Sequence, residues 1–150
     1  GTTPADVLPR HIGHEQRSER LARAVAERLR VPTDCRELAE VVAREHGNIH
    51  ASGGLNAAAV LRLLERCDAL RKPERFDYAL LACECDARGR LGLEASPYPQ
   101  RARLQAALAA ALGVATAPIA AEAAARGLKG PQVGAQIQQA REQAVAAALA

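Results

Sequence analysis

The chain predicts an all-α protein, and three observations carry that expectation. Apolar residues recur at three- and four-residue steps along most segments, and nowhere do they alternate over the length of a strand. Helix punctuation is regular, with Pro32–Thr33, Gly47–Asn48, Asn56, Pro73 and Pro131 falling between the periodic stretches. Hydrophobic residues make up 49% of the 150 positions but aromatic ones only 2%, so a core has to be built from Leu, Val and Ala on helices.

Taken in order, residues 1 to 10 read as a loop, where Pro4 and Pro9 stop regular structure. A first helix is expected from about His14 to Arg30, with an apolar stripe from His14 through Leu21 and Val25 at spacings that stay on one helical face. Thr33 is placed to cap a second helix, and Asp34 to favour its positive dipole end. That helix is expected to run to about His46, ended by Gly47 and Asn48, with Leu38, Val42 and His46 at i, i+4 steps. The two stripes aim His14 and His46 into one interior from neighbouring helices, which is how a helical bundle builds a metal site. After a Ser-Gly-Gly loop, Asn56 caps a third helix carrying Val60, Leu61, Leu64, Cys67 and Leu70. Pro73 takes the first position of a fourth, in which Phe76, Leu80 and Cys83 share a face and which Gly89 and Gly92 end.

Residues 89 to 99 hold two Gly and two Pro and read as a boundary, because composition then changes. From Leu104 onward the charges are Arg126, Lys129, Arg141, Glu122 and Glu142, and Ala and Gln fill most of the remainder. Three tail helices are expected, at about Gln100 to Leu112, Ala117 to Ala125 and Pro131 to Leu149. The last places Val133, Ile137, Ala140, Ala144 and Ala148 on one face. The organisation expected is a helical domain over residues 1–92, a linker over 93–99 and a helical tail over 100–150. No internal repeat is visible.

Charge and cysteine usage narrow the function classes. The net charge is +3, and all basic residues except Lys72 and Lys129 are arginine. Arginine pairs bidentately with phosphate, so an RNA partner is permitted, although GC-rich coding would give the same bias. One Phe and two Tyr leave little for base stacking, so RNA contact is expected through the backbone. No basic-then-apolar leader is present, and the most apolar window, 102 to 125, contains Glu122 and is broken by Pro118. A cytoplasmic protein without a membrane span is therefore expected. Cys35, Cys67, Cys83 and Cys85 lack zinc-site spacing and read as reduced thiols. Ser18, Ser52 and Ser96 lack a GxSxG elbow, and no GxxxxGK[ST] run is present.

Two constellations remain. His14 and His46, with Asp86 three residues beyond Cys83, offer imidazole and carboxylate donors that suit a divalent first-row metal acting on a phosphate ester. The alternative for each histidine is a satisfied core or capping residue. The run Gly127 to Val133, GLKGPQV, starts a helix at Gly130–Pro131 and leaves backbone amides at the positive dipole end. Lys129 stands beside them and Arg126 one turn before, which is the composition of a phosphate site. An ordinary helix start with solvated charges is the alternative. In DALRKPERF, Asp68 is placed to bond Arg71 or cap the next helix, so the run reads as structural, with Arg71, Lys72 and Arg75 as candidate phosphate contacts. Arg10, Arg17, Arg20 and Arg23 fall near the histidines, where a solvated helix face is the ordinary explanation.

GTTPADVLPRHIGHEQRS, HGNIH, DALRKP, ECDARGR and GLKGPQVG, in that order, resemble the carboxy-terminal half of bacterial CCA-adding tRNA nucleotidyltransferases of the multifunctional type, which carry an HD phosphohydrolase domain. The resemblance covers essentially the whole chain. It implies the remainder of an HD-type bundle followed by a tail that holds the tRNA body. It also implies addition of C, C and A to tRNA 3′ ends from CTP and ATP, by a magnesium-dependent head outside this chain. His14 and His46 match ligand-type positions of the HD module, and Asp86 matches less closely. The HD site would take magnesium or a transition metal such as nickel.

Two departures stand out. The family's His-Asp doublet would lie just ahead of Gly1–Pro4, and position 47 is Gly where some members have Asp. Little or no phosphohydrolase activity is therefore expected of the chain itself. Two other readings stay open, a stand-alone HD-class metal phosphohydrolase and a helical interaction module whose Ala- and Gln-rich tail forms a homodimer.

Overall fold

The computed structural model describes residues 13–150, so the loop expected over residues 1 to 10, together with His11, lies outside the described residues. Among the described residues the secondary structure is helical, with seven α-helices and no strand, as the sequence predicts. They are α1 (His14–Leu29), α2 (Thr33–His50), α3 (Ala57–Arg66), α4 (Pro73–Arg88), α5 (Pro99–Leu112), α6 (Thr116–Ala125) and α7 (Pro131–Leu149). A short 3-10 turn, Ala51–Gly54, follows α2.

The helix ends follow local chemistry. Asn56 caps α3 as expected, its side-chain oxygen accepting from the Ala59 amide at 2.9 Å. Pro73 and Pro131 open α4 and α7, where their missing N–H groups cost nothing. α1, α3 and α6 all end in the same two-bond turn, with one residue in the left-handed region. At α3 that residue is Asp68 (φ 55°), with Asp68 N donating to Glu65 O and Ala69 N to Leu64 O, both at 2.9 Å. Arg30 (φ 51°) does the same at α1, and Gly127 (φ 75°) at α6.

α2 departs from expectation at both ends. Thr33 is its first helical residue rather than its cap, and Gly47 and Asn48 lie inside the helix, which continues to His50. An internal glycine costs about 1 kcal/mol. Ile49, with no exposed surface, gains about 1.5–3 kcal/mol by burial in the added turn. The apolar anchor outweighs the glycine.

Two compact units organise the chain, and they do not follow its order. The first comprises Gly1–Ala51 and Glu74–Tyr98, and the second Ser52–Pro73 and Pro99–Ala150. In the first, α1 packs on α2. Glu19 meets Arg44 at 3.0 Å and Arg23 meets Glu40 at 3.2 Å, so positions advancing along α1 pair with positions receding along α2. The pair is antiparallel.

The faces that meet are rotated from those the apolar stripes suggest. Leu21, Val25 and Leu29 stay exposed, whereas Ala26 is buried and Ala22 and Ser18 half-buried. On α2 the buried positions are Val41, Glu45 and Ile49, each three residues beyond Leu38, Val42 and His46 in turn. Small residues on α1 let the backbones approach, and the flanking ion pairs set the register. α4 supplies Phe76, Ala79, Leu80 and Cys83 to this unit's core, the face expected.

In the second unit α3, α5 and α6 all pack on α7, and α3 also meets α5. Leu61, Leu63 and Leu64 of α3, Leu104 and Ala107 of α5 and Val145 of α7 have essentially no exposed surface. Val145 is the buried anchor of α7. Val133, Ile137, Ala140 and Ala144 are only half-buried and Ala148 is exposed, so that helix is turned from its expected face. No single helix among the described residues is long and apolar enough to cross a membrane. α5 and α6 reach that composition only together, across a 43° bend.

Candidate histidine centre and phosphate-binding surface

The geometry at the head of α1 begins with Gly13 in the left-handed region (φ 72°), after which His14 opens the helix. Across the α1–α2 interface its Nε2 lies 3.2 Å from Nε2 of His46, with the rings edge-on at 5.2 Å between centroids. This is the meeting of two imidazoles that the sequence predicts. His46 Nδ1 lies 3.1 Å from Val42 O and 3.2 Å from Ala43 O. Carbonyls only accept, so that nitrogen carries the hydrogen and His46 Nε2 presents a bare lone pair. In the neutral pair, His14 Nε2–H donates to it. Carbonyl-anchored imidazoles of this kind are how proteins orient a metal ligand.

Asp86 does not join them. It is exposed on α4, and its carboxylate lies 3.0 Å from His50 Nε2. The inward position expected from its spacing after Cys83 is thus corrected: Asp86 stands at the edge of the buried face and reaches outward to His50. His50 lies one turn beyond His46, ring centroids 6.0 Å apart, and its Nδ1 sits 2.8 Å from the Tyr98 hydroxyl. A carboxylate accepts, so Nε2–H donates to Asp86 and Tyr98 O–H donates to Nδ1. The result is a directed chain from Tyr98 through His50 to Asp86. No group of three or more His, Cys, Asp or Glu among the described residues converges to hold a metal. The structure brings His14 and His46 together and leaves Asp86 apart, against His50.

Burial tunes the same neighbourhood. Desolvation, and then the Asp86 charge, push the Cys83 thiol up to about 12, so it is not a nucleophile. The Tyr98 phenol is raised as well, by burial first and then by Cys83, Asp86 and Glu84. Gly47 faces Glu15, and a Cβ there would meet Glu15 Oε1 at 3.3 Å. A carboxylate at position 47 would therefore be crowded against another. Cys35, Cys67, Cys83 and Cys85 are free thiols.

Of the candidate phosphate contacts, Arg71, Lys72, Arg126, Lys129 and Gly130 fall in the second unit, and Arg75, paired with Glu37, falls in the first. Arg126 ends α6, 4.0 Å from Glu122, and Lys129 and Gly130 complete the exposed loop into α7. Gly130 (φ 40°) precedes the first turn without a side-chain cap, while Gln132 Oε1 accepts from Lys129 N at 3.3 Å. Arg71 forks onto Asp68, with its Nη2 at 2.6 Å and its Nε at 3.0 and 3.1 Å. That pair holds the left-handed turn after α3, with Lys72 next in the chain.

The sequence reading passed over two groups. Tyr98 sits between Pro97 and Pro99 in what looked like linker, and only the i, i+4 step from His46 to His50 hinted that the histidines continue as an array. Glu45 is the other. It is 2% exposed, with Asn48 Nδ2 at 2.9 Å and Arg44 Nε at 3.3 Å. A carboxylate on a helix flank carries no sequence signal of burial.

No family model and no solved structure matches the chain. Curated proteins do. The multifunctional CCA protein of Acidovorax sp. (strain JS42) is 72% identical over 146 residues, 97% of this chain and 34% of the relative. That of Verminephrobacter eiseniae is 69% identical over 150 residues, 100% of this chain and 36% of the relative. That of Cupriavidus necator is 62% identical over 149 residues, 99% and 36%. The chain spans about a third of the length of the curated relatives it matches. Identity at this level, unbroken from the histidine centre through the tail, places the chain in the family of the multifunctional CCA proteins.

Proposed function

We propose that this chain is the substrate-holding part of a CCA-adding enzyme, grasping the body of a tRNA while nucleotidyl transfer from CTP and ATP proceeds on a magnesium-dependent part of the protein outside it. The observation that carries this reading is the 72% identity over 97% of the chain to multifunctional CCA proteins. Two physical features support it. Arg71, Lys72, Arg126, Lys129 and Gly130 lie in one compact unit, and the loop at Arg126, Lys129 and Gly130 is exposed. The chain up to residue 92 would then be the HD-type region, residues 93–99 the connection and residues 100–150 the tail.

Within the same proposal, His14 and His46 hold a divalent cation, magnesium or a transition metal such as nickel, and Asp86, engaged by His50, would join them only on leaving that partner. A cation there would supply a Lewis acid for a phosphate ester. Two imidazoles without a converging carboxylate support weak retention and little or no phosphohydrolase activity. Metal-stimulated hydrolysis of a 2′,3′-cyclic nucleotide by the purified chain would overturn that part.

The reading as a whole is tested by fluorescence anisotropy with a labelled tRNA lacking its CCA end. Binding that weakens steeply with salt is the expected result, because each neutralised phosphate releases counterions. Absence of binding at both low and moderate salt, with the chain folded by circular dichroism, would refute it.

A further inference from the structure

Charge is divided unequally between the two units. The first carries eleven basic residues against thirteen acidic, net −2, and the second nine against four, net +5. The chain's whole positive excess therefore resides in the second unit. In the first unit Arg23, Arg36, Arg44, Arg75 and Arg88 each make an ion pair with a glutamate. In the second, Arg71 pairs with Asp68 and Arg126 with Glu122.

Aromatic residues divide the other way. Phe76, Tyr78 and Tyr98 all belong to the first unit, so the second contains no aromatic side chain at all. A surface without aromatics lacks the rings on which splayed bases mainly stack, and such stacking is the usual means of gripping single-stranded RNA. What it can do is neutralise phosphates along a folded backbone.

The second unit also includes a helix that lies ahead of the tail in sequence. α3 buries Val60, Leu61, Leu63 and Leu64, which leaves Arg62 and Arg66 exposed one turn apart on its outer face. Arg62 has no ion-pair partner among the described residues. We infer that the phosphate-gripping body is this discontinuous unit as a whole, and that α3 takes part in it through Arg62, contacting the backbone of a double-helical RNA segment. This rests on the tRNA-holding reading and extends it to a helix that the linear division into domain and tail leaves outside the tail.

The test measures binding of a tRNA transcript lacking CCA to the 150-residue chain across a salt series, for wild type, Arg62→Ala, Arg62→Lys, Lys129→Ala and Arg28→Ala. Arg28 is an exposed arginine in the last turn of α1, in the first unit. The expected result is a log–log salt slope smaller by about 0.9 in Arg62→Ala, restored in Arg62→Lys and unchanged in Arg28→Ala. Equal thermal midpoints would exclude a folding effect, which an exposed position should not produce. A slope unchanged in Arg62→Ala but reduced in Lys129→Ala would overturn the role of α3 while leaving the tRNA-holding function intact. An equal reduction in Arg28→Ala would show that the surface is not confined to the second unit, which also overturns the inference. A wild-type chain without salt-dependent binding would remove both.

Discussion

Alkaline pH should destabilise this protein through one buried thiol. Cys83 has no exposed surface, and burial with the nearby Asp86 charge moves its pKa from 9.0 to about 12. A raised folded-state pKa means that, between those values, the folded chain retains a proton the unfolded chain has lost. Stability that is fully present below pH 9 is then lost as pH rises toward 12. At 1.36 kcal/mol per unit, the full loss approaches about 4 kcal/mol, a large part of a typical 5–15 kcal/mol stability.

The assay is urea unfolding followed by helical circular dichroism, in a reductant, from pH 7.5 to 10. Within that range the raised Tyr98 phenol adds little, since its own contribution is lost only above the ordinary tyrosine range. Cys83→Ala lowers stability at neutral pH by opening a small cavity, but it should flatten the decline above pH 9. Identical pH slopes for wild type and Cys83→Ala would refute the argument, because the thiol would then titrate alike in both states.

Other outcomes follow from single contacts. Asn56→Ala removes the cap bond to Ala59 and should cost about 1 kcal/mol, read as a lower thermal midpoint. Leu64→Ala, at a position with no exposed surface between α3 and the tail helices, should cost about 2–5 kcal/mol in urea unfolding. Tyr98→Phe deletes the 2.8 Å hydroxyl bond to His50 Nδ1 and should cost about 1 kcal/mol. The loss in Tyr98→Phe should shrink when His50→Ala is already present, and additive losses in that double-mutant cycle would show that the bond does not form.

Much of this was legible in the sequence where local chemistry decides. Asn56, Pro73 and Pro131 mark helix starts unaided, and His14 and His46 do meet, although the stripes that pointed to their meeting are not the faces that pack. Legibility fails where one element's choice depends on a distant one. Nothing near Gly47 announces that Ile49 has a buried site to fill, so the helix looks finished four residues early. The inner face of α1 is chosen by the backbone approach that Ser18, Ala22 and Ala26 allow, not by the more apolar Leu21 and Val25. Asp86 is ambiguous for the same reason, since a residue at the edge of a face goes wherever its hydrogen-bond partner stands. The attachment of α3 to helices beyond residue 99 is a long-range fact with no local signature.

That attachment sets an order of events on the ribosome. α3 is complete once Arg66 is made, yet its covering helices α5 and α7 are not finished until Leu149. At typical synthesis rates the roughly eighty intervening residues take on the order of 4–17 s. Until α5 is finished at Leu112, Val60, Leu61, Leu63 and Leu64 have none of that cover, and it is complete only with α7, while α1 and α2, adjacent in sequence, are free to pair at once. A nascent chain stalled between α4 and α5 would present those four side chains to chaperones and proteases. Early termination there would be cleared not for lack of helices but because a finished helix is left waiting for its lid.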